Sequence, residues 1–109
     1  MMCAIFLGNT QHILSKIMRL KSALANIIEP DFGLLDKLLS REVLTRRQLA
    51  KVRSERTVYE RNDAMLDLLV SEDQCDHFVK ALRQTSQQHV AIFIAQNEGQ
   101  KLATHQFIN

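Results

Sequence analysis

A repeated helix-start signature constrains this chain of 109 residues more than any other feature of its sequence. Four hydroxyl residues are each followed three places later by glutamine or glutamate: Thr45 with Gln48, Thr57 with Glu60, Ser71 with Gln74, and Thr85 with Gln88. In such a capping box the hydroxyl accepts a hydrogen bond from a first-turn amide, and the glutamine or glutamate accepts one from the cap residue. Four boxes at spacings of 12, 14 and 14 residues predict four consecutive short helices.

Apolar periodicity predicts two further helices before the first box. One helical face is marked by residues three and four apart, which are Ile13, Ile17, Leu20, Leu24, Ile27 and Ile28. Pro30 cannot continue that helix, and Asp31 can cap a second helix that ends near Val43. Short helices joined by brief turns bury one stripe each and pack antiparallel. The sequence therefore predicts an all-α bundle of six antiparallel helices.

Composition supports one helical domain in a reducing compartment. One proline, three glycines and few β-branched runs favour helix over strand. The cysteines, Cys3 and Cys75, match no metal or redox spacing, which indicates reduced thiols and a cytoplasmic protein. The apolar start, Met1 to Leu7, is too short for a signal peptide and makes a poor membrane anchor, so no membrane contact is expected.

Three segments resemble the caspase recruitment domain (CARD) of the death-fold superfamily. Residues 33–55 (GLLDKLLSREVLTRRQLAKVRSE) and 57–69 (TVYERNDAMLDLL) look like its helices two to four. Residues 78–94 (FVKALRQTSQQHVAIFI) are similar to its helices five and six. The inflammatory-caspase branch and its short CARD-only regulators are the most similar members. The ordered leucines, turns and caps carry the resemblance, because the family has no single diagnostic motif.

The resemblance implies a six-helix Greek-key death fold and a function in homotypic CARD–CARD association. Expected partners are CARD-containing caspases, adaptors or sensors of apoptotic or inflammatory signalling, with homo-oligomers or helical filaments among the outcomes. Residues 12–99 would form the domain, after an N-terminal extension over 1–11 and before a C-terminal tail over 100–109. An activating adaptor and a domain-only decoy, cellular or encoded by a pathogen, would share one surface, and the sequence leaves both open.

Charged residues are segregated along the chain, although the net charge is only +2. Between residues 46 and 61 there are six basic side chains and two acidic ones: Arg46, Arg47, Lys51, Arg53, Arg56 and Arg61 against Glu55 and Glu60. Residues 63–76 carry five acidic side chains and no basic one: Asp63, Asp67, Glu72, Asp73 and Asp76. Unlike patches of this kind can attract a relative head to tail, whereas the plainer interpretation is solvated helix faces.

In the family, a basic surface on helices one and four commonly meets an acidic surface on helices two and three. Asp36 matches an often acidic position, and Arg19, Lys21 and Arg61 would supply the basic side. This chain departs from the pattern, because its third helix is basic and its fourth carries Asp63 and Asp67. The polarity of the predicted contact therefore stays open.

Catalytic, metal and cofactor chemistry is not expected. The chain has neither the length nor the Gln-Ala-Cys-x-Gly segment of a caspase, and Cys75 and His77 diverge on a helix, so Cys75 is predicted to lie in the core. His12, His89 and His105 lack an i, i+4 partner for metal binding.

Nucleic-acid binding is the alternative from another class. Helices two and three can be interpreted as a helix-turn-helix that places five polar residues in a major groove, namely Arg46, Arg47, Gln48, Lys51 and Arg53. The low net charge and the adjacent acidic block argue against this interpretation.

Overall fold

The computed structural model describes residues 13–96, which contain seven helical segments and no strand. The segments are α1 (residues 13–19), α2 (Lys21–Ile27), α3 (Leu34–Ser40), α4 (Arg46–Arg53), α5 (Val58–Asp67), α6 (Glu72–Gln84) and α7 (Gln88–Gln96). The predicted all-helical architecture is confirmed. None of the described helices is long and apolar enough to cross a membrane.

The seventh segment arises because the predicted first helix is interrupted at Leu20. This residue lies outside the helical region, with φ −95° and ψ 8°, and separates α1 from α2. Hydrogen bonds from Leu20 N to Lys16 O (2.9 Å) and from Leu24 N to Leu20 O (2.8 Å) span the interruption. The two segments therefore follow one another as parts of a single interrupted helix, without a loop between them.

Three of the four predicted capping boxes are present in full. The amides of Gln48, Glu60 and Gln74 donate to the hydroxyl oxygens of the cap residues at 3.1, 3.0 and 3.1 Å, and the reciprocal side-chain bonds are also made. These bonds satisfy amides that have no carbonyl partner within the helix. The starts of α4, α5 and α6 are thus determined by short sequence patterns.

Two predicted caps are wrong. The hydroxyl of Thr85 donates to Ala81 O at 2.8 Å, so Thr85 closes the end of α6 and α7 begins only at Gln88. The cap residue of α3 is Gly33, whose φ of +108° is a left-handed conformation that residues with a Cβ rarely adopt, and Asp31 makes no cap. The second helix also ends at Ser40, earlier than Val43.

The core forms where α2 packs on α5 and α6 packs on both α3 and α7, while α4 bridges α3 and α5. Its largest side chain, Phe78, is fully buried, and the Cys75 side chain lies in the same cluster, as the sequence predicts. One polar residue enters the α2–α5 seam: the amide of fully buried Asn62 donates to Ala25 O (2.9 Å) and Ile28 O (2.8 Å).

A second buried amide joins two connections between helices. Gln87, which precedes α7 and is 5% exposed, reaches the segment between α2 and α3. Its Nε2 donates to Glu29 O at 2.7 Å and its Oε1 accepts from Glu29 N at 2.8 Å. Both backbone groups of Glu29 are therefore satisfied by one side chain that is 58 residues away in sequence.

Candidate interaction surface

The outer face of α4 carries the densest group of candidate binding residues. Leu49 and Val52 are buried, which turns Arg46, Arg47 and Lys51 toward solvent, where all three are exposed. Within residues 13–96, none of these three side chains forms an ion pair. We call these three residues the α4 basic face.

Two members of the α4 basic face lie where a helix disfavours cations. Arg46 and Arg47 occupy the first turn of α4, and no acidic residue shares that turn. The unpaired amides of a helix N-terminus carry partial positive charge, so a cation there costs about 0.3–1 kcal/mol at an exposed site. The position of Arg46 and Arg47 therefore does not stabilise α4.

Asp36 and Arg53, both predicted to contact a partner, contact each other within the molecule. Arg53 Nη2 lies 2.9 Å from Asp36 Oδ1 and joins α4 to α3 at the surface. The two side chains remain 49% and 69% exposed, so the pair is open to solvent and to a partner. Exposed pairs of this kind contribute about 0–1 kcal/mol to stability.

Lys21 on α2 is held by two carboxylates of α5. Its ammonium lies 2.5 Å from Asp67 Oδ1 and 3.1 Å from Asp63 Oδ1. These hydrogen bonds, the one to Asp67 first, raise the pKa of Lys21 above its ordinary 10.5. Since the pKa of Lys21 is raised in the folded state, its contact with Asp63 and Asp67 stabilises the fold fully below pH 10.5. This stabilisation is lost as the pH rises through the pKa of the folded state.

The Arg61 side chain mainly contacts other residues of the same chain. Its guanidinium donates to Glu55 O at 2.9 Å and to Asp31 Oδ2 at 3.0 Å, and its side chain is only 18% exposed. The first bond holds the connection between α4 and α5, and the second holds the connection between α2 and α3. A partner could reach little of this side chain.

The two remaining predicted residues are separated from the α4 basic face along the chain. Arg19 is exposed on α1, and Asp76 on α6 pairs with Lys80 one turn later at 3.0 Å. The four predicted acidic residues, Asp36, Asp63, Asp67 and Asp76, thus all have a basic partner within the same molecule. Among residues 13–96, Arg46, Arg47 and Lys51 are three exposed cations without an ionic partner that lie together on one helix, α4.

Sequence reasoning missed a polar cluster that joins α3 to α6. Arg41 Nη1 lies 2.7 Å from His77 Nδ1, and Arg41 Nε donates to Gln84 Oε1 at 3.0 Å. Arginine can only donate, so His77 Nδ1 is the acceptor in this contact. No sequence signal indicates this cluster, since the partners are 36 and 43 residues apart.

A groove between α4 and α5 was also not predicted. It encloses about 390 Å³, and its lining includes Val52, Tyr59 and Leu68. Tyr59 remains 41% exposed beside it. An exposed aromatic residue on a helix was the one available sequence signal.

The chemistry of the described residues suits binding better than catalysis. Burial, with a smaller contribution from the charge of Glu72, raises the pKa of the Cys75 thiol from 9.0 to about 12, so the thiolate needed for nucleophilic attack is suppressed. Between residues 13 and 96 no three His, Cys, Asp or Glu side chains could hold a metal ion. His89 is exposed in the first turn of α7, whereas Cys3, His12 and His105 lie outside the described residues.

Comparison with known proteins identifies one match. The family model described as caspase recruitment domain matches residues 11–97, which is most of the chain. No curated protein and no solved structure matches the sequence or the structure.

Proposed function

The chain belongs to the caspase recruitment domain family, and from this premise we propose that the α4 basic face binds an acidic surface on an unlike member of that family. Caspase recruitment domains are homotypic interaction modules of apoptotic and inflammatory signalling and are not catalytic. The partner would be a CARD-containing caspase, adaptor or sensor, and the complex would form in the cytoplasm. A place in the inflammatory-caspase branch is part of the same proposal.

The observation that carries this proposal is the unfavourable position of Arg46 and Arg47. Both are exposed, neither has an ionic partner in the described residues, and both lie at the positive end of α4. Residues kept at a cost in stability are typical of binding sites. An acidic partner would supply carboxylates that pair with Arg46 and Arg47.

The internal pairing of the acidic residues favours a regulator over a filament-forming adaptor. Head-to-tail growth requires two complementary surfaces on every copy, whereas Asp36, Asp63, Asp67 and Asp76 already have basic partners. A domain in which these four acidic residues are already paired can occupy a partner through the α4 basic face without extending the assembly. We therefore favour a decoy-like role, in which this chain limits the assembly of a caspase-activating complex.

Binding to a panel of acidic caspase recruitment domains, measured by calorimetry at low and high salt, tests the proposal. The variant R46E/R47E/K51E should bind about 3- to 150-fold more weakly, since three opposed charges each contribute about 0.2–1 kcal/mol. The matched control R83E changes an exposed arginine on α6 and should bind normally. Equal binding by both variants, or preferential binding of DNA by the unmodified protein, would reject the proposed surface.

Self-association distinguishes the two roles. Size-exclusion chromatography with light scattering, followed by electron microscopy of any large fraction, should show a monomer at every salt concentration if the chain is a decoy. Salt-sensitive helical filaments would instead show that the chain assembles as an adaptor does.

A further inference from the structure

The groove between α4 and α5 has an apolar floor that the proposed charge contact does not use. The floor is formed by Val52, Tyr59, Ala64 and Leu68, and the volume of about 390 Å³ falls within the range of about 300–1,000 Å³ seen for ligand sites. Tyr59 is 41% exposed, so part of its ring is available to a bound molecule.

The rim of the groove is acidic at one end. Its charged lining residues are four carboxylates and one ammonium, namely Glu55, Glu60, Asp63, Asp67 and Lys51. Lys21 binds Asp63 and Asp67, whereas Glu55 and Glu60 form no ion pair with any residue between 13 and 96. One oxygen of Glu60 accepts from Thr57 N. The unbalanced negative charge therefore lies at the end of the groove near Tyr59.

The two ends of the groove suit different side chains. A guanidinium or ammonium group can pair with carboxylates while it contacts an aromatic ring, and Glu55, Glu60 and Tyr59 offer this combination. Ala64 and Leu68 at the other end offer an apolar surface. From Glu60 to Leu68 the chain advances about 12 Å at about 1.5 Å per residue, which an extended peptide spans in about four residues.

We propose that this groove binds a short linear peptide of a partner protein, in which an arginine or lysine lies three or four residues from a large apolar side chain. The occupant is assigned by charge complementarity: the basic residue meets Glu55 and Glu60, and the apolar residue covers Leu68. This site goes beyond the homotypic contact, since its ligand is a linear segment and the α4 basic face requires an acidic folded domain.

NMR titration of the 109-residue protein tests the site. The probe is the end-blocked peptide Gly-Ser-Arg-Gly-Ser-Leu-Ser-Gly, and a matched probe carries glutamate in place of arginine. The arginine probe should shift the amide resonances of Tyr59, Ala64 and Leu68, and the glutamate probe should not. Equal shifts with both probes, no shift with either, or shifts confined to Arg46 and Arg47 would overturn the proposal.

The variant E55Q/E60Q removes both unpaired charges without removing the cap of α5. Glutamine occupies the corresponding position in the boxes of Thr45 and Ser71, so the fold should persist. We expect this variant to bind the arginine probe about three- to tenfold more weakly, as two exposed ion pairs are lost. The control E42Q, at an exposed acid outside the groove lining, should bind as before.

Unchanged affinity in E55Q/E60Q, with helicity retained by circular dichroism, would show that the groove does not recognise the basic residue. The R46E/R47E variant, which leaves the groove-lining Lys51 unchanged, tests the α4 basic face separately with a folded acidic partner. Failure of one proposal therefore leaves the other standing.

Discussion

The α2–α5 seam and the α4 basic face both contain polar residues, but those at the seam stabilise the fold and those on α4 are exposed to solvent. At the seam, Asn62 donates to two backbone carbonyls, and its neighbour Arg61 donates to Glu55 O and to Asp31 Oδ2. On α4, Arg46 and Arg47 are exposed and have no ionic partner among the described residues. The comparison shows that a structural arginine cannot be told from a candidate binding arginine by residue type. The two are distinguished by whether the side chain has partners within the fold.

The largest effect on stability is expected from Asn62→Ala. The change removes both donors to Ala25 O and Ile28 O inside the seam and leaves a cavity, so the free energy of unfolding should fall by about 2–4 kcal/mol. Urea denaturation followed by circular dichroism measures it. The control Asn26→Ala changes an exposed asparagine of α2 and should stay within about 0.5 kcal/mol of the unmodified protein. Equal losses in the two variants would remove the distinction between seam and surface.

The pair of substitutions Arg61→Gln and Arg53→Gln sharpens the comparison between arginines. Arg61→Gln should destabilise the fold by about 1–2 kcal/mol, because Glu55 O and Asp31 lose a charged donor at a site that is largely buried. Arg53→Gln breaks only an exposed pair and should cost less than about 1 kcal/mol. Thermal unfolding of both variants under one condition measures the difference, and a reversed order would contradict it.

A double-mutant cycle on Asp36 and Arg53 measures the contribution of the exposed pair itself. With Asn and Gln as replacements, the coupling free energy should be about 0.2–1 kcal/mol and should decrease as salt is added. A coupling free energy that does not change with salt would show that the Asp36–Arg53 pair behaves like a buried structural contact.

The smallest expected change in stability has the opposite sign. R46E/R47E places acids in the first turn of α4, where they favour the helix, so stability should rise by up to about 1 kcal/mol while partner binding weakens. Chemical denaturation of this variant, together with its affinity for an acidic caspase recruitment domain, gives both quantities. A large loss of stability would show that these arginines support the fold.

The features that the sequence predicts correctly are local. The boxes at Thr45, Thr57 and Ser71 need only four residues each to start a helix, so tertiary structure adds little to the decision. Thr85 fits the same pattern, but its hydroxyl reaches Ala81 O in the preceding helix, and local spacing cannot choose between these options. The interruption at Leu20 has neither proline nor glycine to mark it.

The candidate site was predictable only as a set of charges. Lys21 and Asp67 are 46 residues apart, and Arg61 and Asp31 are 30 apart, so their pairing depends on how the bundle closes. The charge count identified α4 as basic, but only the fold shows that Arg46, Arg47 and Lys51 lack ionic partners in the described residues, whereas Arg53 pairs with Asp36. The α4–α5 groove is likewise a product of packing.

The hydrogen bonds between the Gln87 side chain and the Glu29 backbone couple the opening of the α2–α3 connection to that of the α6–α7 connection. The Glu29 amide belongs to no helix, and yet its hydrogen bond to a buried side chain should slow its exchange with deuterium to a rate typical of helical amides. Exchange would require the segments before α3 and before α7 to open together. These two connections should consequently behave as a single cooperative unit during local unfolding, even though most of the chain separates them.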